Sequence, residues 1–197
     1  MKPSIILIGS GGHCKSCIDI IEQENKYSIA GIIDKNRSVK SVLGYSILGN
    51  DADLLELKNI YDYALIVIGQ LESPNIRIQL FNRLKLLGFK LPTIVSSRAY
   101  ISKHAQLGEG TIVMNDALIN ASAVIGNNCI INTKALIEHD VVIEDNCHVS
   151  TGAIINGGTI LKNGTFIGSN AVTKEYVETK VGEFIKAGSL FKGYVNE

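Results

Sequence analysis

The residues best suited to chemistry in this 197-residue chain are two histidines and one glycine-rich turn. His139 stands between carboxylates in Ile137-Glu138-His139-Asp140, and His148 follows in His148-Val149-Ser150. An imidazole ionises at about pH 6.5, so it can take up and return a proton at neutral pH, and a neighbouring carboxylate can orient it and raise its basicity. Adjacent residues on a strand point to opposite faces. Asp140 therefore serves His139 only where a turn bends it back. His104 has no such surroundings and reads as surface. Cys14 and Cys17 form a C-x-x-C, but no second pair follows at zinc-ribbon spacing and no thioredoxin-like context surrounds them, so they read as helix packing.

The glycine turn is Gly9-Ser10-Gly11-Gly12-His13. It follows the short apolar run Ile5 to Ile8 and opens a helical pattern through Cys17, Ile18, Ile20 and Ile21; a second apolar run, Ile29 to Ile33, ends in Asp34. Strand, glycine turn, helix, strand, acid is the order of a Rossmann-like βαβ unit, whose turn N–H groups face a phosphate. Cys14 occupies the place of the third glycine, which relaxes the helix-to-strand packing. Further on, Asn50 caps a helix expected from Asp51 to Lys58, Ala64 to Ile68 is a buried strand ending at Gly69, and Asn75 to Leu87 is an amphipathic helix closed by Gly88. Phe89 to Val95, interrupted by Pro92, is expected as an edge strand. The loops after Gly9, Asp34 and Gly69 then converge outside the carboxyl ends of a parallel sheet, where a small nucleotide-linked ligand fits. In that arrangement Gly11, Gly12 and His13 hold phosphates, Asp34 meets the ribose or base, and Gly69 admits close backbone approach.

From residue 99 the pattern changes. An aliphatic residue recurs every six positions from Ile101 through Leu107, Val113, Ile119, Ile125, Ile131, Ile137, Ile143, Val149, Ile155 and Leu161 to Ile167, with a small or medium residue two places before each. Turn formers such as Asn115-Asp116, Asn127-Asn128 and Asp145-Asn146 fall between them. Strand and turn alternating at this period signify a parallel β-helix. The expected organisation is a Rossmann-like α/β domain over residues 1–96 and a β-helix with a short tail over 97–197. The prism's narrow core accounts for 7 Tyr, 5 Phe and no Trp in a chain that is 46% hydrophobic.

Composition sets the outer limits. Lys and Arg number 19 against 19 Asp and Glu, so there is no basic footprint for a nucleic acid or polybasic patch for a membrane surface. No run approaches a membrane span or a secretory leader, and a cytoplasmic protein with reduced thiols is the expectation.

The six-residue repeat resembles the hexapeptide-repeat, left-handed β-helix acyltransferases, in which three repeats close one coil of 18 residues. With Gly9-Ser10-Gly11-Gly12-His13, Gly31-Ile32-Ile33-Asp34, Leu48-Gly49-Asn50-Asp51 and Ile131-Asn132-Thr133 through His139-Asp140 to His148-Val149-Ser150, nearly the whole chain is similar to sugar acetyltransferases of the NeuD/PglD type. A coil of that length stacks Cys129 on Cys147 inside the prism. The resemblance implies an acetyl-CoA-dependent N-acetyltransferase acting on the amine of a nucleotide-linked 4-amino-4,6-dideoxy sugar in bacterial surface-glycan biosynthesis. It implies His139 as general base, Asp140 as its orienting carboxylate, and His148, Gly152, Gly168 and Ser169 along the acetyl-CoA. Lys174, Lys186 and Lys192 are candidates for the coenzyme phosphates. Members are homotrimers with active sites between prisms. The tail Gly188-Ser189-Leu190-Phe191-Lys192 departs from the usual G-x-P-A-K. The rival acceptor is a sialic or other nonulosonic acid, O-acetylated, and a third reading is a nucleotide-sugar binding protein without transfer. Zinc held by three histidines, as in gamma-type carbonic anhydrases, would need His104, His139 and His148, whose spacing does not suit it, so no metal is expected.

Overall fold

The computed structural model describes residues 2–36, 38–70 and 72–194. The chain opens with strand β1 (Ser4–Ile8), helix α1 (Gly12–Glu24) and strand β2 (Ser28–Ile33), followed by β3 (Ser41–Val42), β4 (Tyr45–Gly49), a short 3-10 turn at Asp51–Asp53, α2 (Leu54–Lys58), β5 (Tyr63–Ile66) and α3 (Asn75–Leu86). The sheet order is β3-β4-β2-β1-β5, parallel except where β3 folds back on β4. Strand β1 is interior, between β2 and β5, and its Ile5, Ile6, Leu7 and Ile8 are all buried. Continuous burial of this kind is what a parallel strand covered on both faces requires. The carboxyl ends of β1, β2 and β5 lie side by side, which gathers the loops that follow them.

The helix expected from Asp51 to Lys58 is divided. Asn50 accepts from the amide of Ala52 while Asp53 accepts from the amide of Asn50, and this reciprocal cap closes the 3-10 turn before α2 begins. The expected edge strand from Phe89 to Val95 is not one strand. Lys90 makes a single bridge to Tyr63, whereas Ile94–Val95 pairs with Ile112–Val113 in the C-terminal structure. Pro92 between them has no N–H to continue a ladder.

The remaining chain winds into a left-handed triangular prism whose strands begin with Ile94–Val95 and end with Leu190–Phe191. Its register is 18 residues: Ile112 pairs with Ile130, Ile130 with His148, and His148 with Phe166. Three sheets of six, four and six strands form the faces. A residue at positive φ recurs every six positions at the corners, with Asp116, Ser122, Asn128, Lys134, Asp140 and Asn146 among them. Asp and Asn tolerate that region because their short polar side chains bond locally. Cys129 and Cys147 occupy successive coils and are fully buried.

The prism is longer than the aliphatic series suggests. Beyond Ile167 the inward positions become Thr173 and Thr179, both buried. Their hydroxyls pair with those of Thr159 at 3.2 Å and Thr165 at 2.9 Å, so the polar groups are satisfied inside the core. The atypical tail carries the last coil, with Leu190–Phe191 paired to Val172–Thr173.

One face of the prism is packed against the N-terminal sheet and α1. Ile94, Ile112, Met114 and Ile130 share a buried cluster with Cys14, Cys17, Ile18 and Ile21. That apolar seam fixes the glycine turn over the prism, and it gives Cys14 and Cys17 their packing role.

Candidate functional site

The glycine turn is shaped by backbone needs and by one carboxylate. Gly9 adopts φ 112 and its N–H donates to the Ile33 carbonyl at 2.8 Å. A Cβ there would overlap Ile68. Asp34 accepts from the amide of Ser10 at 2.6 Å and from the amide of Asn36 at 2.7 Å. Partial burial opposes ionisation of this carboxyl, but the bonds from Ser10 and Asn36 outweigh it and hold it below the usual carboxylate range. Asp34 thus pins the turn. Gly11 caps α1 without any side-chain bond, and added Cβ atoms at Gly11 and Gly12 would meet nothing within 4 Å, so the first-turn N–H groups face open space.

That open space is a cleft of about 750 Å³ between the N-terminal sheet and the prism. Gly11, Gly12, His13, Asp34 and Gly69 line it, and so does His148 from the prism side, together with Asn132, Ser150 and Thr151. Ser169 reaches its edge through a 3.0 Å bond between its hydroxyl and that of Ser150. Beside the cleft lies a smaller pocket of about 270 Å³, walled by Ile8, Ile33, Ile68, Ile76 and Leu80 and rimmed by Asp51, Gln79 and Arg83. Its apolar wall and polar rim suit a heterocycle.

His148 is buried, and both ring nitrogens are engaged. The Gln70 carbonyl, 2.8 Å from Nδ1, can only accept, so the proton sits on Nδ1. Nε2 then accepts from the Asn132 amide at 3.2 Å. The ring stands edge-on to Phe166, with centroids 5.2 Å apart. Burial lowers its pKa to about 3, and the positive charge of Arg77 adds to that. His13 is lowered to about 4, again by burial first and Arg77 second. Both imidazoles are neutral at physiological pH and act in the cleft as oriented dipoles.

His139 and Asp140 lie elsewhere, on the prism corner at the far side of the adjacent face. Asp140 has φ 59, and this left-handed turn swings its carboxylate back to 2.8 Å from His139 Nδ1. Both side chains are more than half exposed. Glu138 is held separately by Asn120 at 2.9 Å. One coil above, Gly157 leaves the space over the imidazole: a Cβ there would lie 2.8 Å from His139 Cε1 and Nε2. With Nδ1 facing Asp140, Nε2 is the nitrogen presented to solvent.

Gly152 sits at a corner with φ 66, beside Thr151 at the cleft's edge. Gly168 underlies the next coil, where a Cβ would overlap the backbone of Ala187. Lys174, Lys186 and Lys192 are exposed on the last coils. Gln70 and Asn132 as partners of His148, and the side pocket, have no signature in the sequence. Gly157 was within reach, since it follows His139 by one coil.

The PglD N-terminal domain model matches residues 4–84. The acetyltransferase domain of PglB from Neisseria gonorrhoeae, in complex with acetyl coenzyme A, superposes with a TM-score of 0.89 at 28% identity, covering 95% of this chain and 90% of that one. PerB from Caulobacter crescentus, in complex with CoA and GDP-perosamine, gives a TM-score of 0.90 at 28% identity over 96% of this chain and 89% of that one. This chain's first 84 residues include a match to the PglD N-terminal domain, and nearly the whole chain is similar to solved acetyl-CoA-dependent sugar acetyltransferases. WeeI from Acinetobacter baumannii, at 21% identity and a TM-score of 0.83 over 98% of this chain and 93% of that one, shares the fold. No curated protein matches the chain by sequence. Among the described residues, no helix is long and apolar enough to cross a membrane.

Proposed function

We propose that this acetyltransferase moves an acetyl group from acetyl-CoA to the amine of a nucleotide-linked amino-sugar of the 4-amino-4,6-dideoxy type, in bacterial surface-glycan biosynthesis in the cytoplasm. The observation that carries the reading is the His139–Asp140 pair, 2.8 Å apart on an exposed corner, in a chain whose cleft is lined by an uncapped helix N-terminus. The nucleotide's phosphates lie on the N–H groups of Gly11 and Gly12, close to His13, and its base enters the side pocket beyond Asp34 and Gly69. Solved relatives support the ligand pair, since PerB was captured with CoA and GDP-perosamine.

In this reaction the amine nitrogen attacks the thioester carbonyl, a C–N bond forms, and the C–S bond breaks to release the coenzyme thiolate. His139 Nε2 takes the amine proton and returns it to the thiolate, while Asp140 holds the Nδ1–H and stabilises the transient imidazolium. Acetyl-CoA lies along the prism by Gly152, Gly168 and Ser169, with His148 behind it. The dyad and the cleft are at opposite edges of one face, so a second prism packed on that face is needed to unite them. The face has the surface for it: Leu118, Leu136, Ile154 and Val172 form a partly exposed apolar row, which supports a homotrimer with sites between subunits.

The test is coenzyme A release with UDP-, dTDP-, GDP- and CMP-linked amino-sugars, using wild type and His139→Ala. Amine-dependent release that disappears in the variant is expected. Unchanged turnover in the variant removes His139 from its role. Faster release with a nonulosonic acid hydroxyl than with any amine transfers the assignment to O-acetylation.

A further inference from the structure

Arg77 is a buried cation without a carboxylate counter-charge among the described residues. It is 2% exposed in the first turn of α3, behind Ile76, which lines both the cleft and the side pocket. Its Nη2 donates to the carbonyl of Asn128 and, at 3.0 Å, to the Asn128 side-chain oxygen. Nε and Nη1 have no partner among the described residues. The ionisable groups near enough to favour its charge are thiols, those of Cys129, Cys17 and Cys147, and no carboxylate is among them. Burial costs the guanidinium enough to lower its pKa to about 10, so it remains charged.

Two rules are broken together at this position. A buried charge ordinarily has a partner, and an apolar side chain of similar volume would be cheaper. The first turn of a helix also favours an acid over a base. Local rules broken without visible compensation tend to mark functional sites. The compensation here lies in the cleft. The N-terminus of α1 opens towards it, Ile76 of α3 lines it, and the one carboxylate on its wall among the described residues, Asp34, is already bonded to Ser10 and Asn36. His13 and His148 on its wall both register the Arg77 charge.

We propose that Arg77 is a positioning residue for the acceptor's diphosphate, supplying a fixed positive potential from beneath the cleft without touching the ligand. Resting on the nucleotide-sugar reading above, this adds a fixed buried charge to the exposed Lys35 on the cleft wall in a chain of zero net charge. The field of a buried cation is weakly screened, so its contribution grows with ligand charge.

The discriminating variant is Asn128→Asp. It places a carboxylate where an amide oxygen already meets Nη2, and Asn146, which now accepts from Asn128 at 2.8 Å, turns its amide over to donate. Binding by calorimetry is measured for UDP, GDP and dTDP, for their monophosphates and for the free nucleosides, with melting temperature in parallel. The expected result is an unchanged or higher melting temperature with affinity about tenfold weaker for the diphosphate, about threefold for the monophosphate and unaltered for the nucleoside. Arg77→Met must show the same ranking by charge, and it serves should Asn128→Asp not fold. Equal losses for all three ligands, or none, overturn the proposal. Wild-type protein that binds no nucleoside diphosphate overturns the underlying reading and this inference with it; wild-type binding with a charge-independent loss overturns this inference alone.

Discussion

His139 Nδ1 and Asp140 Oδ2 are 2.8 Å apart although the residues are consecutive, because Asp140 takes a left-handed backbone conformation at a prism corner. On a continuing strand the two side chains would diverge. The corner therefore converts a sequence neighbour into a positioned partner, and it leaves Nε2 free.

His139→Ala is expected to lower kcat/KM by about 10²- to 10⁴-fold, the usual worth of a general base, while nucleotide affinity in the cleft is kept. Asp140→Asn retains the geometry but removes the charge, and a smaller loss concentrated in kcat is expected. Steady-state kinetics with parallel nucleotide titration checks both. A loss in nucleotide affinity equal to the loss in turnover would mean that the corner acts through folding.

Gly157→Ala tests the same ring from the coil above. Gly157 lies outside the left-handed region, so alanine suits its backbone, yet the added methyl would stand 2.8 Å from His139 Nε2 and Cε1. The ring must tilt. A misplacement of about 1 Å at a reacting group can cost about 100-fold, so kcat should drop by one to two orders of magnitude with little change in melting temperature. Wild-type turnover in this variant would show that His139 tolerates displacement.

The prism was legible because its core allows one aliphatic and one small side chain per six residues, a constraint strong enough to be written in every coil from Ile101 to Ile167. It faded where Thr173 and Thr179 replace the aliphatics and hydrogen-bond to Thr159 and Thr165, a tertiary solution outside the aliphatic pattern. The glycine turn and Asp34 were legible as local order along the chain. Arg77 was not: an arginine in an amphipathic helix normally faces water, and its burial arises from packing across residues 51 apart at Asn128. Likewise, the bond from His148 to Gln70 spans 78 residues, and neither partner's type announces the other.

Acid should destabilise the fold above the range in which carboxylates titrate. Burial holds the folded pKa of His13 at about 4 and of His148 at about 3, both below the ordinary imidazole value of about 6.5. As pH falls below about 6.5 the unfolded chain binds these protons and the folded chain does not, so stability present above that pH is lost progressively, by up to about 1.4 kcal/mol per pH unit for each group. Denaturant unfolding at intervals from pH 7 to 4.5 should show this slope, and His148→Gln should remove one proton from it. A flat profile across that window would mean that these imidazoles are solvated in the folded protein.

Ile154→Glu addresses the union of dyad and cleft. Ile154 sits between Leu136 and Val172 in the apolar row of the face that separates His139 from the cleft edge. An isolated prism exposes that row, and a carboxylate in its centre would have to be desolvated in any packed assembly, at a cost of several kcal/mol. Within one chain the residue points outward, so the coil itself should tolerate the change. Light scattering should therefore report a trimer for wild type and a monomer for the variant. Coenzyme A release should vanish, while nucleoside diphosphate affinity stays close to wild type because Gly11, Gly12 and His13 belong to one chain. A variant that is monomeric and fully active would place the whole reaction within one subunit. A variant that remains trimeric would move the interface to another face of the prism.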